Sequence, residues 1–210
     1  MSKLNEIAVA VDTGKSKVIG ALVQEAINEG IDPKDILNIG MLDAMAVVGE
    51  KFKNHVYFVP EMMVAARAMK KGLEVLRPHL AAENAKKLGK MVMGTVAGDL
   101  HDIGKNLVIM MIESVGFEVV DLGVDVPVEK FLEAASDPDV DIVGLSTLLT
   151  TTMPALEEAV KALNALPNRS QFKIMVGGAP VTQDYATFVG ADGYSMDAVS
   201  AADLAKTYVA

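Results

Sequence analysis

Residues 90–116, KMVMGTVAGDLHDIGKNLVIMMIESVG, run from a short apolar segment (90–97) through a loop of glycines and aspartates (98–106) into an amphipathic one. An apolar run of strand length followed by a helical pattern reads as strand, loop, helix. The alternation continues to the C-terminus: FEVVDLG then VEKFLEAAS, VDIVGLS then TMPALEEAVKALNAL, FKIMVGG then VTQDYATFVG, and ADGYS then DAVSAADLAKTYV. Strands alternating with helices make a parallel sheet covered on both faces. Residues 91–210 are therefore expected to form an α/β domain, a five-stranded, doubly wound sheet of the flavodoxin-like, Rossmann type.

Upstream the rhythm differs. From residue 1 to 80, apolar side chains recur every three to four positions: Val18, Leu22 and Ile27, then Ile36, Ile39, Leu42 and Met45, then Met62, Met63, Ala66 and Met69. That is the spacing of one helix face. In NEGIDPKD, Gly30 is placed to end one helix in the left-handed conformation and Pro33 to occupy the first turn of the next; RPHL closes the last. Three long helices and a short N-terminal one predict a four-helix bundle over residues 1–80. The small, polar and charged segment 81–90 (AAENAKKLGK) is the expected linker between the two domains.

Composition removes several classes of chemistry. There is no cysteine in the 210 residues, which excludes disulfides, thiolate zinc sites, cysteine-ligated iron–sulfur clusters and a cysteine nucleophile. Net charge is −9, and residues 1–80 carry 10 basic against 10 acidic side chains while residues 81–210 carry 9 against 18. A polyanion is repelled by such a surface, and tryptophan, the best stacking platform for bases, is absent, so no nucleic-acid partner is expected. No segment reaches the ~18 uninterrupted apolar residues of a membrane span, and the N-terminus lacks a signal-peptide core, so the reading is a cytoplasmic protein without membrane contact.

In doubly wound sheets, ligands bind beyond the carboxyl ends of the strands. The loops there are GDLHDIGKN, STLLTTTMP and GGAPVT. The first is not a Walker phosphate loop, because five residues separate Gly98 from Gly104 and Asn106 stands where Ser or Thr is needed. It lacks the glycines of a dinucleotide fingerprint, with Leu100 and His101 in their places. Ser146 has no Gly-x-Ser-x-Gly elbow, so nucleophilic hydrolysis is disfavoured. A phospho-receiver would need an aspartate closing strand three, where Ser146, Thr147 and Leu148 stand.

Metal ligation by His101 is the remaining physical reading. A lone histidine more often serves packing or the surface, and that is how His55 and His79 are read. Asp99, two residues before His101 on the strand exit, can accept a proton from one ring nitrogen and leave the other more basic. One protein ligand cannot hold a bare ion, so the metal would have to arrive chelated, with a macrocycle as the economical solution. Thr150 and Thr151 read as helix caps before Pro154 and the methionine-rich stretches mostly as core. Residues 137–141, DPDVD, read as a solvated turn.

Asp99-x-His101-x-x-Gly104, followed by Ser146-x-Leu148 and then Gly177-Gly178, resembles the signature of cobalamin-binding domains of the methionine synthase type. The resemblance extends to the helical half, where VYFVPEMMVAARAMKKGLEVLRPHL resembles that family's cap, and the domain order resembles free-standing corrinoid proteins of methyltransferase systems that act on methanol, methylamines or methoxylated aromatics. It implies that His101 is the lower ligand of the cobalt in place of the cofactor's dimethylbenzimidazole and that Asp99 hydrogen-bonds it. It further implies that Asp102, Ile103 and Gly104 adjoin the corrin, and that Ser146, Leu148, Gly177 and Gly178 line the slot for the nucleotide tail. Thr152 falls where the family has a serine extending the His–Asp pair, and Tyr57, Phe58 and Met62 fall in the apolar lid over the upper face.

The implied function is a methyl carrier, cycling between Co(I) and methyl-Co(III), that is a subunit rather than a complete enzyme. Implied partners are a substrate:corrinoid methyltransferase, a second methyltransferase delivering to tetrahydrofolate or a thiol, and an ATP-dependent reductive activase. Proton uptake at the His–Asp pair is expected to accompany reduction, and the helical half is expected to swing aside on the linker. The methyl donor could be a methoxylated aromatic, a methylamine, a betaine or methanol. A cobalamin-dependent sensor and a cofactor-free scaffold are the competing readings, although a sensor would ordinarily carry a DNA-binding or signalling domain.

Overall fold

The computed structural model describes residues 2–80 and 87–209. The chain divides into two compact units, Met1–Lys87 and Leu88–Ala210. Residues 81–86 of the expected linker lie outside the described residues; Leu88 and Gly89 are tied to the second unit, where the Leu88 N–H donates to the Gly116 carbonyl and the Glu118 N–H to that of Gly89.

The first unit is helical: α1 (Lys3–Asp12), α2 (Ile19–Asn28), α3 (Pro33–Asp35), α4 (Asp43–Lys53) and α5 (Val59–Leu76). A π-helical segment, Ile36–Leu42, joins α3 to α4, so 33–53 is one continuous rod and four helical rods are present among the described residues. The ends are set locally. Asp32 caps the Lys34 N–H at 2.9 Å with Pro33 behind it, and the Glu61 carboxylate reaches back to the Phe58 N–H at 3.0 Å to start α5. Gly30 (φ 80°) closes α2 as its position in the sequence suggests.

The buried stripes differ in detail from the expected ones. On α2 the core is reached by Ile19, Val23 and Ala26, while Val18 is exposed and Leu22 and Ile27 are half-buried. In the rod, Ile36, Met41, Met45 and Val48 are buried but Ile39 is 51% exposed. The π segment is the reason: its wider turn rotates every later side chain relative to a 3.6-residue repeat. On α5, Met62, Ala66 and Met69 are buried and Met63 is partly exposed.

The second unit is a five-stranded, all-parallel sheet in the order β2-β1-β3-β4-β5. Its strands are β1 (Lys90–Val96), β2 (Glu118–Val126), β3 (Ile142–Ser146), β4 (Lys173–Gly177) and β5 (Gly193–Tyr194). The connecting helices are α6 (Ile103–Ser114), α7 (Val128–Ala135), α8 (Met153–Asn164) and α9 (Gln183–Val189), and α10 (Ala198–Tyr208) returns to lie beside α6. The central strands β1 and β3 are buried along nearly their whole length, as a doubly covered parallel sheet requires. One core joins β1, β3 and β4 to α7 and α8 through Val92, Val143, Ile174, Phe131, Leu156 and Val160. Strand order reverses between β1 and β3, so the loops after these two strands part and leave a crevice between them.

Candidate functional site

The chain leaves β1 in a turn closed by the Asp99 N–H donating to the Val96 carbonyl, and this places the Asp99 side chain in the crevice fully buried. A carboxylate without water must be satisfied by protein donors. Asp99 Oδ1 accepts from the His101 N–H at 3.0 Å and from His101 Nδ1 at 2.7 Å. Its Oδ2 accepts from the Leu148 N–H at 2.7 Å, from Thr152 Oγ1 at 3.0 Å and from Thr147 Oγ1 at 3.2 Å, and the two hydroxyls are 2.6 Å apart. Burial by itself pushes the Asp99 carboxyl up, but the bonds from Leu148, His101 and Thr152 together outweigh it and hold the group far below the usual carboxylate range.

An ionised Asp99 is acceptor-only, so Nδ1 of His101 carries the proton of the neutral ring and the lone pair lies on Nε2. The His101 side chain is half exposed, in contrast to its buried partner. Thr95, buried on β1, donates its hydroxyl to the His101 carbonyl at 2.9 Å and fixes the backbone from the other side. The arrangement is a directed imidazole: one nitrogen bound inward, the other presented outward.

The other expected residues of the sheet unit lie at the ends of β3 and β4 and at the start of α6. Ser146 ends β3 between Thr95 of β1 and Gly177 of β4 in the sheet register, and Leu148, itself exposed, contributes its backbone N–H inward. Gly178 has φ 128°, and a β-carbon there would overlap the Thr147 carbonyl oxygen. Glycine is therefore required by the contact between two loops, whatever else lines the slot. At Gly104, in the first turn of α6, a β-carbon would meet nothing within 4 Å, so open space adjoins the imidazole loop. Ile103 is 82% exposed, and Asp102 accepts from Asn106 Nδ2 at 3.1 Å.

Phe58 is exposed, Tyr57 lies with its ring 4.6 Å from Lys51 Nζ, and Met62 is fully buried. Thr150 and Thr151 are the exposed residues of a 3-10 turn, Thr150–Thr152, and no side-chain cap bond starts α8, which corrects the capping reading; the turn instead brings the buried Thr152 back onto Asp99. His55 occupies a surface loop with φ 58° and His79 a surface 3-10 turn, Arg77–His79.

Sequence reasoning passed over Thr147, Thr95 and Lys105. Thr147 lay within the hydroxyl run next to Ser146, and Thr95 was a lone hydroxyl in an apolar strand; either could have been marked on that ground. Lys105 is buried and its Nζ meets Asp121 at 2.6 and 2.7 Å and Asn106 Oδ1 at 2.8 Å, which ties the first turn of α6 to β2. Nothing in the spacing of Lys105 and Asp121 announces that pair.

Among the described residues, no group of three or more His, Cys, Asp or Glu side chains could hold a metal ion. One outward imidazole nitrogen, open space at Gly104 and the exposed Leu100, Ile103, Leu148 and Leu149 on the loops after β1 and β3 suit a metal held by its own ring system.

Comparison with known proteins agrees with this chemistry. Residues 89–204 match one family model described as a B12 binding domain, and residues 3–77 match a second with the same description. Dimethylamine corrinoid protein 1 of Methanosarcina acetivorans is 42% identical over 208 residues, covering 99% of this chain and 97% of that protein. A cobalamin-binding protein from Desulfitobacterium hafniense DCB-2, solved at 1.5 Å, superposes with a TM-score of 0.84 at 33% identity over 100% of both chains. A chain of the methanol:cobalamin methyltransferase complex of Methanosarcina barkeri superposes with a TM-score of 0.84 at 32% identity, over 99% of this chain and 79% of that one. The chain belongs to the B12-binding corrinoid proteins, and its cofactor is cobalamin.

Proposed function

We propose that this protein carries a methyl group between two methyltransferases, on a cobalamin whose cobalt takes His101 as its lower ligand. The observation that supports the reading best is the buried Asp99 carboxylate, with donors on both oxygens, directing the His101 ring outward. When bound, the cobalamin supplies a cobalt centre that can accept a methyl group from one partner and release it to another. The protein supplies orientation and proton control. Asp99 holds the ring and its tautomer, and donors from His101, Leu148 and Thr152 keep its carboxylate ionised. Ser146, Gly177 and Gly178 border the slot for the nucleotide tail, and Leu100, Ile103 and Leu148 offer apolar surface to the corrin beside Gly104.

In this reading the cap lies in residues 1–80 and the cofactor domain in residues 88–210, since Leu88 and Gly89 are tied to the sheet and Lys90 opens β1. Of the three lid residues, Phe58 has the exposed apolar side chain that a lid needs, at 61%. The partners are a substrate:corrinoid methyltransferase, a methyltransferase delivering to tetrahydrofolate or a thiol, and an ATP-dependent reductive activase. The similarity to a dimethylamine corrinoid protein makes methylamines the first donors to test.

The decisive variant is His101→Ala. Loaded with cobalamin and reduced to the divalent state, the parent is expected to show nitrogen splitting from the imidazole in its paramagnetic resonance spectrum. The variant is expected to lose that splitting and to change colour. Equal colour, equal retention and an unchanged spectrum in the variant would refute the ligand assignment. Failure of the loaded parent to take methyl from any methylamine with its cognate methyltransferase would refute those donors.

A further inference from the structure

β2 carries two irregularities where it runs beside β1. Paired positions step from Met93 to Gly94 on β1 while β2 advances from Asp121 to Gly123, and from Gly94 to Val96 while β2 advances from Gly123 to Val126. Each step inserts one extra residue into β2, a bulge, and bulges re-aim backbone and side chains next to functional loops. The second bulge contains Asp125, which adopts φ 51°. That region is unfavourable for any residue with a β-carbon, and aspartate is one of the few that tolerates it.

What the strained conformation achieves is specific. The Asp125 N–H donates to the Asp99 carbonyl at 2.9 Å, and Asp125 Oδ1 accepts from the Gly98 N–H at 2.7 Å. The two bonds grip the Gly98–Asp99 segment from the neighbouring strand, one on the residue before the Asp99 Cα and one just after it. They set the direction in which the Asp99 side chain departs, and that side chain has to reach His101 Nδ1 and the Leu148 N–H at 2.7 Å each. The bonds that Asp125 makes go to the Gly98–Asp99 backbone and not to the imidazole.

We infer that Asp125 is a positioning residue: its carboxylate, held by the β2 bulge, sets the Gly98–Asp99 backbone so that Asp99 can direct His101. The inference rests on the reading of His101 as the lower ligand. A glycine at 125 accepts the positive φ without strain and removes only the carboxylate, so Asp125→Gly should fold; Asp125→Asn keeps an acceptor oxygen and tolerates the same backbone conformation.

Two measurements on the full chain test it. In the cofactor-free protein, amide hydrogen exchange at His101 and Leu148, both donors to Asp99, is expected to quicken about five-fold or more in Asp125→Gly, the equivalent of one lost hydrogen bond. Exchange at Val143 and Ile174 in the core strands should stay unchanged, and Asp125→Asn should restore parental rates at His101 and Leu148. In the cobalamin-loaded divalent state, the share of signal with nitrogen splitting should fall in Asp125→Gly and recover in Asp125→Asn. Parental exchange and parental splitting in Asp125→Gly, or an asparagine variant no better than glycine, overturns the assignment. Absence of nitrogen splitting in the unsubstituted protein would instead overturn the His101 reading, and the exchange rates would still report on Asp125 alone.

Discussion

A buried carboxylate survives in a fold only when its lone pairs are met, and at Asp99 the donors come from three places: the adjacent loop, the backbone after β3, and two threonine hydroxyls. Asp99→Asn would turn an amide N–H toward donors and is expected to destabilise the protein by about 2–4 kcal/mol. The folded-state pKa of Asp99 lies below its ordinary value of 3.8, so its contribution is fully present above that value and is lost progressively as pH falls below it. Urea denaturation should therefore show a gap between parent and Asp99→Asn that is large near about pH 7 and narrows toward about pH 3. A gap that does not change with pH would refute the role of ionised Asp99. At this scale the pair Asp99–His101 was legible because two residues of spacing on a strand exit bring them together. Thr147 and Asp125 were not, because they belong to other parts of the chain, Thr147 lying 48 residues beyond Asp99, and only the sheet order brings them in.

The elements were legible where burial and period agree. The strands β1, β3 and β4 follow from apolar runs, since a doubly covered parallel strand is largely apolar, whereas the edge strands β2 and β5 are marked mainly by their place between amphipathic segments. The π-helical segment Ile36–Leu42 was not, because no residue type marks an inserted position in a helix, and it displaced the expected face. The tie between α6 and β2 offers a test at the same scale. Lys105 has a side chain 1% exposed, whereas that of Asp121 is 42% exposed. Removing the exposed partner strands a buried charge, while removing the buried one leaves Asp121 free to hydrate. Asp121→Ala is expected to cost about 3 kcal/mol and Lys105→Met about 1 kcal/mol, read by chemical denaturation. The reverse order would show that Lys105 contributes through packing of its stem rather than through its charge.

At the scale of the whole molecule, the two units each have their own buried core, and the sheet unit needs no residue of the first for the hydrogen bonds around Asp99. Residues 88–210 expressed alone are expected to unfold in one cooperative transition and to keep slow exchange at His101 and Leu148. A non-cooperative melt would mean that the sheet unit depends on the helical one. The sequence by itself determined the two-part organisation, the parallel sheet and the pairing of His101 with Asp99, because these rest on local period, composition and near-neighbour spacing. Only the tertiary structure decided which groups hold that imidazole in place. The reversal of strand order between β1 and β3 brings Thr147, Leu148 and Thr152 onto Asp99, and the bulge in β2 brings Asp125 to the backbone beside it. Such contacts depend on strand pairing over long separations, which leaves no periodic trace along the chain.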